Sequence, residues 1–195
     1  MRRHLHGQSI VEMAFVLPIL LLVLFGIMEF GYLIYAYSTV SQAARNGAEA
    51  AAQLPPYQSW LDYASSPPPD SDYPGQRGDP CVNAIYLAIE SDTTLFGGTI
   101  NENRDVADYV TIRYPNGGDT RNLTDRGPIE VTITYPVRGI TPLFDLLRFG
   151  GSSGTINLQV TQRRSLENLG NDPTRLKGVA CAEDMESWRE LTTTP

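Results

Sequence analysis

From Met13 to Met28 the chain reads MAFVLPILLLVLFGIM without one charged side chain, and after Glu29 it resumes as FGYLIYAY. A helix needs about 20 mainly apolar residues to cross a hydrocarbon core roughly 30 Å thick, and Ile10 to Tyr37 supplies that with some excess. The run reads as a membrane span. Tyr32, Tyr35 and Tyr37 stand at its far end, where amphipathic rings favour the interface. Arg2 and Arg3, with His4 and His6, precede the run, and no basic residue follows it until Arg45. That asymmetry keeps the amino terminus cytoplasmic and places the rest of the chain outside. A conventional signal peptide, cut among the small residues Ser41 to Ala44, is the rival. Its apolar region is normally about 7 to 15 residues, so a permanent anchor fits better.

What remains is more polar. The net charge of -7 argues against a nucleic-acid binder, which needs a basic face to neutralise phosphates. The two cysteines, Cys81 and Cys181, both lie beyond the span. In an exported domain one such pair is read as a single disulfide, against the alternative of two buried thiols in a cytosolic domain. A bond between them closes a loop worth roughly 4 to 5 kcal/mol in the chain-entropy model.

Just before the span stands Gly7-Gln8-Ser9-Ile10-Val11-Glu12-Met13. A secretory signal is cut after its apolar region, whereas here the small and acidic residues precede it. A carboxylate at the edge of a span is costly, so Glu12 implies a partner or a role. The segment resembles the processing site of prepilins of the type IV and Tad systems, and in particular the TadE-like family. Three elements carry the resemblance: Gly7 to Glu12, the core Leu17-Pro18-Ile19-Leu20-Leu21-Leu22, and Ala43-Ala44-Arg45-Asn46-Gly47-Ala48. Two positions depart from it: Met13 stands where many relatives have an aromatic residue, and Gln8 where type IV pilins begin with phenylalanine.

The resemblance implies cleavage after Gly7 by a prepilin peptidase, with Gln8 as the new amino terminus and Glu12 as fifth mature residue. It further implies that Glu12 attracts the amine of a neighbouring subunit, and that losing Arg2 and Arg3 eases extraction from the bilayer. The expected partners are membrane lipid, the peptidase and other pilin-like subunits, with no nucleic acid and no small-molecule substrate. The alternative for Glu12 is a solvated carboxylate in the cytoplasmic headgroup region. Glu29 is open between the outer headgroups and a pairing within a helix bundle.

The alanine-rich stretch Ser38 to Gln53 should continue the helix outward until Leu54-Pro55-Pro56 stops it. Small residues recur four apart among Ala43, Ala44, Gly47, Ala48 and Ala51, a spacing that permits close helix approach. That face can serve other pilin-like helices or the chain's own domain. Residues 54–80, rich in proline, serine and aspartate, read as a linker or loop.

Val82, Ile85, Tyr86 and Ile89 recur at helical spacing over Cys81 to Ser91. Three segments alternate at period two: Tyr109 to Tyr114, Ile129 to Tyr135, and Thr155 to Arg163, where Ile156, Leu158 and Val160 align. Pro115-Asn116-Gly117-Gly118 marks a turn after the first. Residues 141–147 read as a short helix with Thr141 as N-cap. The tail after Leu166 has weak periodicity, with Cys181 its chief anchor. The expected fold is α+β: a leader (1–7), a long transmembrane and extended helix (8–53), the linker (54–80), and a small extracytoplasmic domain (81–195). In that domain an antiparallel sheet of about three strands packs on a short helix.

Enzymatic readings lack parts. The only histidines, His4 and His6, fall in the leader, so the exported domain has none for a triad or a metal site. Asp70, Asp72, Asp105 and Asp108 show no recognised ligand loop and read as solvated charges. No catalytic residue, cofactor or metal is expected. The sequence thus reads as a minor pilin or pseudopilin of a Tad-type system, single-pass, with an unprocessed membrane-anchored binding module as the alternative.

Overall fold

The computed structural model describes residues 6–66, 74–75, 77–91, 105–116, 127–141, 144, 155–167 and 181–193. Its helices are α1 (His6–Gln53), α2 (Gln58–Ser65), α3 (Pro80–Ser91) and α4 (Met185–Thr193), and its strands β1 (Val110–Arg113), β2 (Pro128–Arg138) and β3 (Thr155–Ser165). The chain divides into two compact units, Met1–Tyr37 with Pro136–Asn157, and Ser38–Tyr135 with Leu158–Pro195. The protein is α+β, with a long apolar helix and a small three-stranded antiparallel sheet.

In the first unit, α1 is apolar on every side. Ile10 to Leu24 are exposed whichever way they point, and Pro18 sits within the helix. An aqueous helix hides its apolar residues in one stripe, so all-round apolarity suits a helix that is covered on every side, as a membrane span is. A covered stripe begins only at Phe25 and Gly26, passes through Glu29, Tyr32 and Leu33, and reaches Ala36. The expected short helix over 141–147 lies mostly outside the described residues. Phe144 is helical, and its amide donates to the Thr141 carbonyl at 3.1 Å.

In the second unit the sheet order is β1-β2-β3. β1 and β2 are antiparallel, with Val110 opposite Ile133 and Arg113 opposite Glu130. Glu130 meets Arg163, and Thr132 meets Thr161 at 2.9 Å, so β2 and β3 also run in opposite senses. One face of β2 buries Ile129, Val131, Ile133 and Tyr135. Val82, Ile85, Tyr86 and Ile89 of α3, the stripe expected from helical spacing, are buried as well, and Ile89 closes with Val131 of β2 around Gly47 of α1. Pro136 is tolerated in a central strand because β1 has only four residues and its register ends at Ile133, so that among the described residues no strand bonds that side of β2 at Pro136. β3 differs from expectation: Val160 is buried but Ile156 is exposed, and the strand continues to Ser165. As an edge strand it needs only part of its apolar side covered.

Two elements depart from the sequence reading. The stretch read as a linker, 54–80, contains α2, held by the fully buried Trp60 and by a hydrogen bond from Gln58 to Asp62 at 2.9 Å. The Tyr114 hydroxyl donates to the Pro56 carbonyl at 2.6 Å and fixes the chain ahead of α2. The tail carries α4, capped by Asp184. Its Oδ1 accepts the Ser187 amide at 2.8 Å, and the Ser187 hydroxyl accepts the Glu183 and Asp184 amides at 2.9 Å. The Ser187 amide is also the chief cause of a depressed Asp184 pKa.

Candidate functional site

Gly7 and Gln8 already lie in the first turn of α1, and Glu12 is exposed one turn further on. The helix thus carries the expected cleavage position and the acidic residue along one continuous rod. At 1.5 Å per residue α1 is about 72 Å long. One window of it meets the length and hydropathy for a membrane span, with none of its residues buried.

Glu29 interrupts this apolar surface, and the structure supplies the partner that its sequence position left open. Its side chain is buried and faces the segment that follows β2. Oε1 accepts the Ile140 amide at 3.2 Å, while Oε2 accepts the Thr141 amide at 3.1 Å and the Thr141 hydroxyl at 2.7 Å. Three donors thus satisfy the acceptor oxygens of this buried side chain. Thr141, read from sequence as a helix N-cap, instead gives its hydroxyl to the helix. No local signal links residues so far apart.

The small-residue face is spent within the chain. Ala43, Ala44, Gly47, Ala48 and Ala51 are all buried, and a Cβ on Gly47 would stand 2.6 Å from Cγ1 of Ile89 and 3.4 Å from Cγ1 of Val131. At Gly47 the small-residue face lets α1 approach Ile89 of α3 and Val131 of β2, which is the docking within the chain that the spacing left open beside packing on other helices. The large apolar residues that α1 leaves exposed lie between Ile10 and Tyr37, outside the covered stripe.

Around this core the residues beyond α1 form structural networks. Cys81 and Cys181 are disulfide-bonded, with Cα atoms 5.2 Å apart. Beside them the buried Asp79 caps α3 by accepting the Val82 amide at 2.9 Å and holds the far strand of chain by accepting the Ala182 amide at 2.7 Å. Sequence reading passed over Asp79, although an aspartate just before Pro80 at a helix start is a capping signal. Asp105, read as a solvated charge, receives Arg77 Nε at 2.8 Å, and Arg77 also pairs with Glu90 and stacks over Tyr86 at 5.5 Å. The Arg77 hydrogen bond is the main cause that holds the Asp105 carboxyl below its ordinary range, and Asp105 in turn raises Arg77.

Across the other side of the sheet, Glu130 is fully buried between Arg113 of β1 and Arg163 of β3. Burial pushes its carboxyl upward, but the hydrogen bonds and charges of Arg163 and Arg113 outweigh that and hold it below the usual carboxylate value. Among the described residues no three His, Cys, Asp or Glu side chains are grouped to hold a metal ion.

No curated protein and no solved structure matches the chain. A protein-family model does match, over residues 7–49, which is nearly the whole of α1 from the Gly7 position to the docked alanines. The family is described as TadE-like protein, so this chain carries a TadE-like domain at its amino terminus.

Proposed function

We propose that the protein is a pseudopilin of a Tad-type pilus or related secretion machine, inserted in the membrane through α1 and cut after Gly7 by a prepilin peptidase. The observation that carries this reading is the helix itself: apolar on every side from Ile10 to Leu24, headed by Gly7-Gln8 and Glu12, and matched by the TadE-like family model. Removal of residues 1–7 takes away Arg2 and Arg3, whose charges resist extraction from the bilayer, and creates an amine at Gln8. Glu12, one helical turn beyond, is the acidic partner for the amine of a neighbouring subunit. The helices pack through the exposed apolar surface of Ile10 to Tyr37, because the small-residue face is already docked inside the monomer.

In this reading the exported domain performs no catalysis and takes no cofactor. Its disulfide and ion-pair networks make a stable head on an extractable rod. Mass spectrometry of the protein extracted from its native membranes tests the proposal. A mature amino terminus at Gln8, lost when Gly7 is replaced by leucine, supports it. An intact Met1 in the functioning protein overturns it and leaves an unprocessed membrane-anchored module.

A further inference from the structure

The carboxy-terminal end of the edge strand β3 gathers positive charge from three elements. On one side of the sheet Arg163 shares the buried Glu130 with Arg113 of β1. The next side chain, Arg164, points to the other side. There it holds Glu49 of α1 at 2.7 Å, and Arg45 holds the same carboxylate at 3.2 Å. Four guanidinium groups thus have two carboxylates between them. Glu167, whose amide bonds the Ala52 carbonyl at 2.9 Å, leaves the balance positive. All four arginines stay open to water, from 44% at Arg164 to 66% at Arg45, so the donors of their planar forks can receive a further carboxylate. Beside the row of Arg113, Glu130 and Arg163 runs one of threonines, with Thr111 opposite Thr132 and Thr132 bonded to Thr161. Such short side chains leave the arginines accessible to a helix.

The matching charge lies at α4. Glu183, Glu186 and Glu190 stand three and four residues apart, along one side of the helix and the turn that enters it. All are exposed, as is Asp184, against the one cation Arg189. The helix is held in place: Trp188 Nε1 donates to the Gly78 carbonyl at 2.8 Å, and the Ser59 hydroxyl donates to the Glu183 carbonyl. Among the described residues the four arginines draw their carboxylates from Glu49 and Glu130 and none from α4. A chain of net charge -7 repels its own copies, except where surplus cations on one meet surplus anions on the next. We propose that the arginine corner around Arg163 and Arg164 is a docking surface for the acidic side of α4 on a second copy of this chain. The two patches are different surfaces, so the contact is head-to-tail and can be repeated by every further copy. It deepens the assembly role proposed above and rests on that reading only for bringing copies side by side.

The test follows the full-length protein by sedimentation velocity in a non-ionic detergent without lipid. The parent chain should associate, and less tightly as salt is raised, because exposed charges are screened. Arg45→Glu with Arg164→Glu reverses the corner and leaves the Glu130 cluster intact, while Glu183→Arg with Glu186→Arg reverses the helix. Each double variant alone should raise the dissociation constant about tenfold or more. An equimolar mixture of the two should return it to the parent value, because each reversed patch then meets its complement on the other variant. Should the corner reversal not fold, the helix reversal alone carries the same comparison with the parent. A parent chain that stays monomeric, a variant that associates like the parent, or a mixture no tighter than its components overturns the contact. Association that appears only when phosphatidylglycerol is added assigns the corner to lipid and overturns it as well. The tested chain keeps residues 1–7, so a failure of cleavage after Gly7 leaves this result standing, and the two proposals fail separately.

Discussion

The Asp79 carboxylate accepts the amide of Ala182 from 103 residues further along the chain, next to the point where Cys181 is bonded to Cys81. Two attachments of different chemistry therefore hold the carboxy-terminal stretch to the start of α3. Asp79→Ala removes a helix cap, worth about 1 kcal/mol. It also strands a buried amide at Ala182, which adds about 1 to 3 kcal/mol. Replacing both cysteines by serine costs about 2 to 5 kcal/mol. Because both attachments order the same residues, the triple variant should lose less than the sum, with a coupling of at least about 0.5 kcal/mol. Urea unfolding of the detergent-solubilised variants measures this, and strict additivity would show that the two attachments act independently.

Glu130 should matter less than the arginines that flank it. Glu130→Gln leaves two guanidinium groups that are already well exposed to water, so the loss at neutral pH should be about 1 kcal/mol. Replacing Arg113 and Arg163 together by methionine leaves a buried carboxylate with its cover but without its charges, and should cost about 3 kcal/mol or more. The pH dependence follows from the depressed pKa values. Glu130, Asp105 and Asp184 have ordinary values of 4.5, 3.8 and 3.8, and all are lower in the folded protein. Their contributions are complete above those ordinary values and are lost as pH falls through the lowered ones. Arg77, shifted upward, keeps its contribution throughout this range. Stability should thus be flat from neutrality to about pH 5 and then fall. Glu130→Gln should make that fall shallower by up to about 1.4 kcal/mol per pH unit. An unchanged acid limb would remove Glu130 from the account.

Two glycines on the same helix should behave in opposite ways. At Gly47 a side chain meets Ile89 and Val131, whereas at Gly31 nothing stands within 4 Å of where a Cβ would be. Gly47→Leu should destabilise the sheet-bearing unit by about 1 to 3 kcal/mol through overpacking, despite the better helix propensity of leucine. Gly31→Leu should leave its unfolding midpoint in place. Thermal melts followed by near-ultraviolet circular dichroism separate the two, and equal midpoints would mean that α1 is not docked at Gly47.

Much of this architecture was readable because it is periodic. The α3 stripe of Val82, Ile85, Tyr86 and Ile89 and the alternation in β1 and β2 follow from spacing alone, since each element has one covered side. The four-residue recurrence at Ala43, Gly47 and Ala51 correctly marked a close approach, but spacing carries no information about whose surface approaches. α2 was hidden by the prolines and serines around it, because one buried tryptophan, Trp60, outweighs poor propensity only once the tertiary fold exists. α4 had a legible cap in Asp184 and Ser187 but no apolar stripe to go with it. The grip of Thr141 on Glu29 had no sequence signature at all, since a hydrogen bond across 112 residues is set by where β2 happens to end.

Glu12 allows cleavage to be separated from assembly. It is exposed on the helix beyond the proposed cut, so under the proposed function Gly7 serves the peptidase and the Glu12 carboxylate serves a neighbouring subunit. Glu12→Gln keeps the shape, exchanges one acceptor oxygen for an NH2 donor and removes the charge that would meet the Gln8 amine. A desolvated pair of opposite charges is worth several times a surface pair, so the loss should be felt in association and not in folding. Glu12→Gln is therefore expected to yield a protein with its mature terminus at Gln8 and an unaltered urea midpoint, but with cross-linking between neighbouring α1 helices through Val16→Cys largely abolished. Cross-linking at the level of the parent chain would mean that Glu12 is a solvated headgroup-level carboxylate and that the helices find their register through the apolar surface of Ile10 to Tyr37 alone.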